Sequence, residues 1–303
     1  MDTIAFKTIY LQKNKGLGNA LRVALKNCSC ELVARMDSDD IAMYRRFELQ
    51  LKTFLKHPEV DIVGGNITEF VGNPSNIRAE RVVAKADAAI KKDMKKRCAM
   101  NHVTVMYKKT AVQDAGGYRD LSWNEDYYLW IRMIENGSVF ENIPVALVNV
   151  RTGDAMSARR GGWKYFKSEQ MIQRYMLEHK QIGLPRYIYN VMIRFGGEVI
   201  APNWLRSKMF RFMRKPYRPG KIGGNTKNER EKKQRKVKFP PFSVAISVYE
   251  KDNAEWFDLA LDSIIKQTTK PTEIVLVVDG TVPKEIQDVI DKYTRICKRA
   301  YFK

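Results

Sequence analysis

The most constraining feature of this sequence is a pair of apolar runs near its C-terminal end. Residues 242–249 and 273–278 are almost continuously apolar, which is typical of strands in a parallel sheet that is covered on both faces. An apolar helix is predicted between them at 256–267, and another follows at about 283–293. The four segments predict a βαβα unit in an open α/β sheet, in which ligands bind at the carboxyl ends of the strands.

A second feature is a group of carboxylates at the end of another predicted buried strand, residues 31–36. Asp37, Asp39 and Asp40 directly follow this strand. Carboxylates this close repel one another, so a cation is expected among them. The economical candidate is Mg²⁺ or Mn²⁺, because hard divalent ions take oxygen ligands and bridge carboxylates to phosphates. The alternative is a polar turn that caps the helix predicted from Tyr44, since Asp is a favoured N-cap residue.

Composition and charge indicate a globular protein without a nucleic-acid partner. The chain has 303 residues, of which 44% are hydrophobic, which is enough for one large or two ordinary domains. Its net charge of +20 is typical of a nucleic-acid binder, but residues 206–238 alone hold fourteen Lys or Arg against two Glu. No recognisable nucleic-acid-binding module accompanies this charge. Nucleic-acid binding is an alternative function that the charge alone would suggest. Without a binding module, we expect no nucleic-acid partner.

The remaining segments predict alternating strands and helices. Predicted strands lie at 3–11, 60–64, 67–71, 101–107 and 139–150, and a turn at 64–66 separates the second from the third. Predicted helices lie at 19–27, 44–55, 85–97, 126–134 and 163–179, and one or two more at 187–214. Residues 215–238, with Pro, Gly and a charge run, are predicted to be a flexible linker.

Six short segments carry a resemblance that none of them would establish alone. They are residues 14–21, 33–40, 102–106, 116–126, 243–250 and 271–280. Together they resemble glycosyltransferase family 2, the inverting GT-A enzymes that build bacterial cell-surface polysaccharides, and in particular its capsule, amylovoran and O-antigen branch. The resemblance implies a GT-A fold, which is a Rossmann-like α/β domain with a mixed, mostly parallel sheet flanked by helices.

The order of these segments differs from the order in the family, where the segments found here at 242–303 come first and those at 3–213 follow. We therefore predict one circularly permuted domain whose two chain ends lie close together. Its predicted parts are 1–186 (metal motif, acceptor side and base), 187–214 (basic amphipathic helices), 215–239 (linker) and 240–303 (nucleotide-binding βαβα). The alternative is a chain that contains parts of two neighbouring copies, which predicts two separate half-domains with exposed apolar strands.

The resemblance also implies the activity. It implies that a sugar moves, with inversion, from a nucleotide-diphosphate donor, usually UDP-linked, to a glycan or lipid-linked glycan acceptor with the help of a divalent cation. Two alternatives are a catalytically inactive partner subunit and a nucleotidyltransferase of related fold. The second would need a Lys-rich signature loop after its first strand, and the sequence has none.

The resemblance assigns roles to individual residues. Asp39 would be the main ligand of the ion, Asp37 would also contact the donor, and Asp40 would support them. Asp126, beside Glu125, would accept the proton of the acceptor hydroxyl; the alternative is that both acids only cap the following helix. Further donor contacts are assigned to Val248, Tyr249, Glu250, Asp279, Gly16, Arg35 and Ser38. Contacts to the diphosphate or acceptor are assigned to His102, Trp123, Arg159 and Arg160, and His102 could equally be a structural hydrogen-bond partner.

The predicted location is cytoplasmic, with peripheral contact on the inner face of the bacterial plasma membrane. Residues 1–7 lack the features of a signal peptide, and no run approaches the roughly eighteen apolar residues of a spanning helix. Residues 187–214 mix apolar and basic side chains, which suggests attachment to an anionic leaflet where a lipid-linked acceptor is found. The alternative is a helix that packs on the core and solvates its basic face.

Overall fold

The computed structural model describes residues 4–121, 123–152, 162–202, 215–216 and 238–299, which form one mixed sheet flanked by helices. Its strands are β1 Ala5–Leu11, β2 Leu32–Met36, β3 Ile41–Ala42, β4 Ile62–Phe70, β5 Ile77–Arg81, β6 Met106–Lys108, β7 Phe140–Arg151, β8 Lys215–Pro216, β9 Phe242–Val248 and β10 Glu273–Asp279. Its α-helices are α1 Leu17–Asn27, α2 Arg46–Lys56, α3 Asp87–Met94, α4 Lys109–Asp114, α5 Glu125–Glu135, α6 Trp163–Glu178, α7 Leu184–Arg194, α8 Ala254–Ile265 and α9 Lys284–Arg299. A 3₁₀ turn covers His102–Thr104, and a π-helical turn covers Phe195–Ile200.

The sheet combines strands from both ends of the chain. Its order is β1-β10-β9-β2-β6-β4-β5-β8, and β7 pairs with β3 and in parallel with β4. The first four strands are mutually parallel, so β9 and β10 lie between β1 and β2. Because parallel neighbours end at the same edge, the carboxyl ends of these four strands meet there. The C-terminal βαβα unit is thus part of this sheet and does not form a separate half-domain.

Alternation along the buried strands explains their continuous apolar sequence. In β10, Ile274, Leu276 and Val278 belong to a core shared with α2, α8 and α9, whereas Val275 and Val277 belong to a core shared with α1 and α5. Successive side chains of a strand point to opposite faces, and both faces are covered here. Each position in β10 is therefore buried.

Helix α9 brings the C-terminal segment back to the first strand. It begins after β10 and packs against β1, while the backbone N–H of Ala5 donates to the carbonyl of Thr272 at 2.9 Å. Sixteen helical residues span roughly 24 Å, about the length of a seven-residue strand. The end of α9 therefore returns toward the amino edge of the sheet, where β1 begins. Residues 1–3 and 300–303 lie outside the described residues.

The prediction of two strands at 60–64 and 67–71 is wrong, because β4 runs without interruption through Gly64 and Gly65. The glycines admit a close neighbour rather than a turn. A Cβ atom on Gly65 would lie 2.7 Å from the side chain of Leu147 in β7. Small residues in a strand mark such close approach as readily as they mark turns.

The prediction of a strand over 101–107 is also wrong in its first half, where the 3₁₀ turn stands. The polar side chains of the alternating pattern bond to backbone instead of facing solvent. Asn101 Nδ2 donates to the carbonyl of Gly65 at 2.8 Å, and Thr104 Oγ1 donates to the carbonyl of Asn101 at 2.7 Å. Such side-chain bonds compete with strand pairing. Of the predicted strand, only Met106 and Tyr107 are in a strand, as part of β6, where they pair with β2.

The predicted helices at 187–214 correspond to α7 and the π-helical turn, and residues 203–214 lie outside the described residues. Of the predicted linker, Lys215–Pro216 pairs with β5, and residues 217–237 are outside the described ranges. Among the described residues, no helix is both long enough and apolar enough to span a membrane.

Candidate active site

A cavity of about 480 Å³ lies at the edge where β1, β10, β9 and β2 end. The strand ends bring together residues that are far apart in the chain. The predicted site residues that line this cavity are Gly16, Arg35, Asp37, Ser38, Asp39, Asp40, Trp123, Val248, Tyr249 and Asp279. The carboxyl edge of a parallel sheet is the usual place for a nucleotide.

The three acids after β2 form a tight group in this cavity. Carboxylate oxygens of Asp37, Asp39 and Asp40 lie within 4.8 Å of one another. Burial, with the nearby charges of Asp37 and Asp252, raises the pKa of Asp39 to about 6. Burial and the charges of Asp37 and Asp39 also raise the pKa of Asp40 well above its usual range. Repulsion within the group is therefore only partly compensated by the charge of Arg35, and its donor set of carboxylate oxygens fits a hard divalent cation.

Asp37 and Asp40 each have a partner that fixes their orientation. Nη1 of Arg35, which is buried, donates to Oδ2 of Asp37 at 2.8 Å, and a second, shorter contact joins Nη2 to Oδ1. Asp40 accepts the backbone N–H of Arg151 at the end of β7, at 2.8 Å. Asp40 therefore ties β7 to the acidic loop, and Asp39 is the member of the group best placed to serve an ion.

Asp279 holds the loop before α1. Its two carboxylate oxygens accept the backbone N–H groups of Lys15 and Gly16, each at 2.9 Å. Gly280 has φ +92°, and a Cβ atom there would lie 2.9 Å from the nitrogen of Asn14. The second strand of the βαβα unit is thus fitted closely to this loop, and Asp279 positions Gly16 in the cavity.

A second cavity, of about 570 Å³, adjoins the first, and Arg35, Asp37 and Trp123 line both. Helix α5 delivers Glu125 and Asp126 to it from its first turn. Trp123 is half-exposed and has φ +69°, a conformation that is strained for a bulky residue. Residues held in this way cluster at functional sites. Arg159 and Arg160, predicted to contact the diphosphate or acceptor, lie outside the described residues.

The chain is similar in sequence to known glycosyltransferases. A sequence model of the family described as "Glycosyl transferase family 2" matches residues 3–120. An uncharacterised glycosyltransferase of Haemophilus influenzae is 39% identical over 212 residues, which are 70% of this chain and 79% of that protein. The chain belongs to glycosyl transferase family 2. The predictions of the family, of a glycosyltransferase and of an α/β fold with a mixed, mostly parallel sheet are therefore confirmed.

Two other similar proteins have more specific names. The amylovoran biosynthesis glycosyltransferase AmsE of Erwinia amylovora is 37% identical over 184 residues, which are 61% of this chain and 68% of that protein. The UDP-Gal:α-D-GlcNAc-diphosphoundecaprenol β-1,3-galactosyltransferase of Escherichia coli is 36% identical over 188 residues, which are 62% and 68% of the two chains. The similarity thus extends well beyond the segment that matches the family model.

Asp126 is a partly exposed carboxylate in the second cavity and has a polar neighbour. Its side chain is 19% exposed, and its Oδ2 lies 3.9 Å from Nδ1 of His102. Burial, with the charge of Arg35, lowers the pKa of His102 well below its usual value, so the imidazole is neutral. His102 Nε2 shares a hydrogen bond of 2.9 Å with the hydroxyl of Tyr118. His102 is therefore a neutral ring, held in place by Tyr118, beside Asp126.

Glu125 differs from Asp126 because it is buried. Burial, together with the charge of Asp126, raises the pKa of Glu125 to about 7. Asn124, the N-cap of α5, makes no side-chain cap bond. Glu125 and Asp126 lie in the first turn of α5, where their negative charges interact favourably with the positive end of the helix dipole. The capping alternative and a catalytic role are thus compatible for Asp126.

Two charged residues that line the donor-side cavity, Asp252 and Arg151, were missed in the sequence analysis. Asp252 accepts the hydroxyl of Ser38 at 2.9 Å and the N–H of Tyr249 at 3.1 Å, and burial raises its pKa to about 6. Arg151 stacks on Trp256, with 4.3 Å from its guanidinium carbon to the ring centroid. Glu250, which was predicted to contact the donor, is exposed and does not line the cavity described. Asp252 follows a strand end by only a few residues, which is the one signal that could have indicated it.

We expect Glu125→Gln to stabilise the metal-free protein at pH 8 by about 2 kcal/mol and to have little effect at pH 5. The unfolded carboxyl ionises before the folded one, because the folded pKa is raised. The wild-type protein therefore loses folding free energy as pH rises from about 4.5 to about 7, because Glu125 must then ionise in the folded state. Gln does not ionise, so the variant does not lose this free energy. Urea unfolding at both pH values measures the effect.

The matched control is Glu285→Gln, since Glu285 is also a first-turn acid, of α9, but is exposed. This control should change stability equally little at both pH values. An effect of Glu125→Gln that is the same at pH 5 and pH 8 would contradict the assigned burial of charge.

Proposed function

We propose that this chain is an inverting, metal-dependent glycosyltransferase that moves a sugar from a UDP-sugar to a lipid-linked glycan in bacterial surface-polysaccharide synthesis. The observation that supports this most strongly is the joining of the two cavities through Arg35 and Asp37. One cavity holds the acidic group suited to a cation and a diphosphate, and the other holds Asp126. A donor and an acceptor can therefore lie on opposite sides of one reacting carbon.

The donor side combines negative and positive partners for a nucleotide diphosphate. Asp39, with Asp37, would hold a divalent cation, which when bound neutralises diphosphate charge and so stabilises the leaving group. Arg35 lines the same cavity as Asp37 and Asp39. Its Nε is buried without a hydrogen-bond partner among the described residues. Nη1 and Nη2 of Arg35 bond to Asp37, which places the positive charge of the guanidinium beside the site proposed for the diphosphate. Tyr249 and Asp252 line the same cavity and are candidates to contact the nucleoside.

Asp126 performs the proton transfer. The acceptor hydroxyl oxygen attacks C1 of the donor sugar while Asp126 takes its proton, the C1–O bond to the diphosphate breaks, and UDP leaves with the electron pair. A single displacement of this kind inverts the configuration at C1. The neutral His102 supports this role, because an imidazolium would hold Asp126 in an ion pair and reduce its basicity.

The acceptor side offers basic and apolar side chains to a diphospho-lipid acceptor. The larger cavity is lined by Arg81, Lys96 and Arg97, by the apolar Ile193, and also by the acids Glu69, Glu169 and Glu198. Guanidinium and ammonium groups recognise phosphate oxygens, and Arg does so in bidentate fashion. The Escherichia coli relative carries a diphosphoundecaprenol-linked GlcNAc in its name, so an acceptor of this class is the one to test first.

A donor screen tests the proposal. UDP release should be measured with a panel of UDP-sugars and other nucleotide sugars, with a GlcNAc-diphospho-lipid acceptor, and with Mn²⁺ or EDTA. We expect release with one or few UDP-sugars, only with acceptor and metal. Release from no nucleotide sugar would contradict the proposed activity and favour an inactive partner subunit.

We also infer that the domain is circularly permuted relative to the family. Three observations support this: β9 and β10 lie between β1 and β2, α9 packs against β1, and the family model matches 3–120 but not the C-terminal unit. We expect a chain rearranged to begin at residue 238, with residue 303 joined to residue 1, to keep the donor affinity of the original. Isothermal titration with UDP and Mn²⁺ measures it, and a soluble, folded rearranged chain without donor binding would overturn the inference.

A further inference from the structure

Helix α7 packs its polar side against the protein and exposes its apolar side, which is the reverse of a typical surface helix. Its polar residues face the protein: Asn190 Nδ2 donates to Gln173 Oε1 at 2.7 Å and to the carbonyl of Lys95 at 2.8 Å. On the same side, Nε of Arg194 donates to Glu169 Oε2 at 2.7 Å. Hydrogen bonds and an ion pair thus fix α7 on α6, and its apolar side is left to face outward.

The outward side is a continuous apolar surface, which we call the α7 face. It consists of Leu184, Ile188, Tyr189, Met192 and Ile193. Leu184, Ile188 and Met192 recur every four residues, as do Tyr189 and Ile193, and together the five side chains cover about half of the helix circumference. Met192 is 68% exposed and Leu184 is 56% exposed. A surface helix normally buries such a stripe, and an exposed one marks an interaction site.

Neighbouring segments extend the α7 face. Phe195 and Ile200, in the π-helical turn, are also exposed, and Trp163 at the start of α6 lies 6.2 Å from the ring of Phe195. Trp163 is half-exposed. Tryptophan is enriched where one end of a side chain is apolar and the other is wet, as at a membrane interface.

The charge around the α7 face is positive. Helix α7 contains Arg186 and no Asp or Glu, and Arg186 is exposed. The carbonyls of Lys95 and Lys96 accept hydrogen bonds from Asn190 and Arg194 of α7, and the side chains of Lys95, Lys96 and the following Arg97 are exposed. An apolar stripe flanked by basic residues has the composition of a helix that lies in the plane of an anionic lipid surface.

We propose that the α7 face docks on an anionic lipid bilayer and holds the larger cavity against it. The cavity is lined by Ile193 and Arg194 of α7 and by Lys96 and Arg97, so the docked helix forms its lipid-side wall. The choice of a membrane partner deepens the proposed function, since a diphospho-lipid acceptor would reach the cavity directly from the bilayer. A second copy of the chain is the competing occupant, but two copies of this face would bring their basic residues together.

Vesicle flotation without donor or acceptor tests the docking. We expect the full chain to float with phosphatidylglycerol-containing vesicles, to bind phosphatidylcholine vesicles more weakly, and to lose the difference at high salt. The double variant Ile188→Glu with Met192→Glu should lose binding by about tenfold or more, because two charges enter the apolar side. Neither residue lines a described cavity.

The matched control is Leu55→Glu, which places a charge at an equally exposed apolar position of α2. It should float like the wild type. Equal flotation of the double variant and wild type, or a wild type that does not bind vesicles, would overturn the proposal. Sedimentation of a dimer that the double variant dissociates, with no vesicle binding, would assign the face to a second copy and would also overturn it.

Turnover separates this proposal from the proposed function. With a water-soluble, short-chain acceptor, the double variant should match the wild type, whereas with acceptor embedded in vesicles its rate should fall about as much as its binding does. If neither protein shows turnover with any acceptor while flotation behaves as expected, the proposed function fails and the docking surface stands. If the double variant loses turnover with the soluble acceptor too, the face is part of the acceptor site and the docking assignment is wrong.

Discussion

We expect Asp126→Asn to reduce sugar transfer by about 10³-fold and to leave donor binding nearly unchanged. Asn keeps the size and polarity of the side chain but cannot accept the proton of the acceptor hydroxyl. The donor cavity is lined by other residues, so the affinity for UDP-sugar should persist. Single-turnover transfer and titration calorimetry, measured on the same protein preparation, give the two quantities.

Asp114→Asn is a suitable control, because Asp114 is an exposed acid at the end of α4 and does not line either cavity. It should transfer sugar like the wild type. Retained turnover in Asp126→Asn would remove Asp126 from the role of base and direct attention to Glu125. A parallel loss of donor affinity would instead indicate that the substitution disturbs the Arg35 and Asp37 pair.

We expect Asp39→Asn to reduce transfer by about 10²-fold or more and to abolish its dependence on Mn²⁺. An amide oxygen is a weaker ligand than a carboxylate and brings no charge to balance the cation. The same substitution should stabilise the metal-free protein above pH 6, because burial raises the pKa of Asp39 to about 6 and the charged form is therefore unfavourable in the folded state. The variant should thus lose activity while gaining stability.

This opposite change distinguishes a lost ligand from a damaged fold. Thermal unfolding in EDTA at pH 5 and pH 8 measures the stability, and initial rates across a Mn²⁺ series measure the metal dependence. The stabilisation should be about half as large at pH 5 as at pH 8, because the unfolded carboxyl, with its ordinary pKa of 3.8, is already ionised at pH 5. Wild-type metal dependence in Asp39→Asn would show that the acidic group does not hold the ion through Asp39.

The placement of the donor side could be predicted because it follows from two general rules. Continuous apolar runs predict strands buried on both faces, and residues after such strands meet at one edge of the sheet. These rules brought Asp39 and Tyr249 to one cavity although 210 positions separate them in the chain. Neither rule depends on the order in which the strands occur along the chain, so the site could be predicted although strands from both ends of the chain form it.

The residues that were missed depend on loop and packing geometry. Asp252, rather than Glu250, turns into the cavity because the N–H of Tyr249 and the hydroxyl of Ser38 capture its carboxylate. Nothing in the sequence of the five-residue loop 249–253 indicates which of its acids will find such partners. The continuity of strand β4 could not be predicted for a related reason. Gly65 is small because the side chain of Leu147 in β7 packs closely against it, and this contact is not evident from the sequence.

The inverted polarity of α7 was likewise visible only in the structure. The sequence predicts an amphipathic helix at 187–214, but a helical pattern does not tell which side faces the protein. The hydrogen bonds of Asn190 and the ion pair of Arg194 decide the orientation. A region that could have been a core-packing helix therefore presents its apolar side outward.

The anomeric configuration of the product tests the central claim most directly, because it reports on the side from which the acceptor attacks. With the accepted UDP-sugar, which carries an α-linked sugar, proton NMR of the first product formed should show the β configuration at the new linkage. This result follows if Asp126 and the acidic group of Asp37, Asp39 and Asp40 act from opposite sides of C1. An α-linked product would contradict a single displacement and, with it, the role assigned to Asp126.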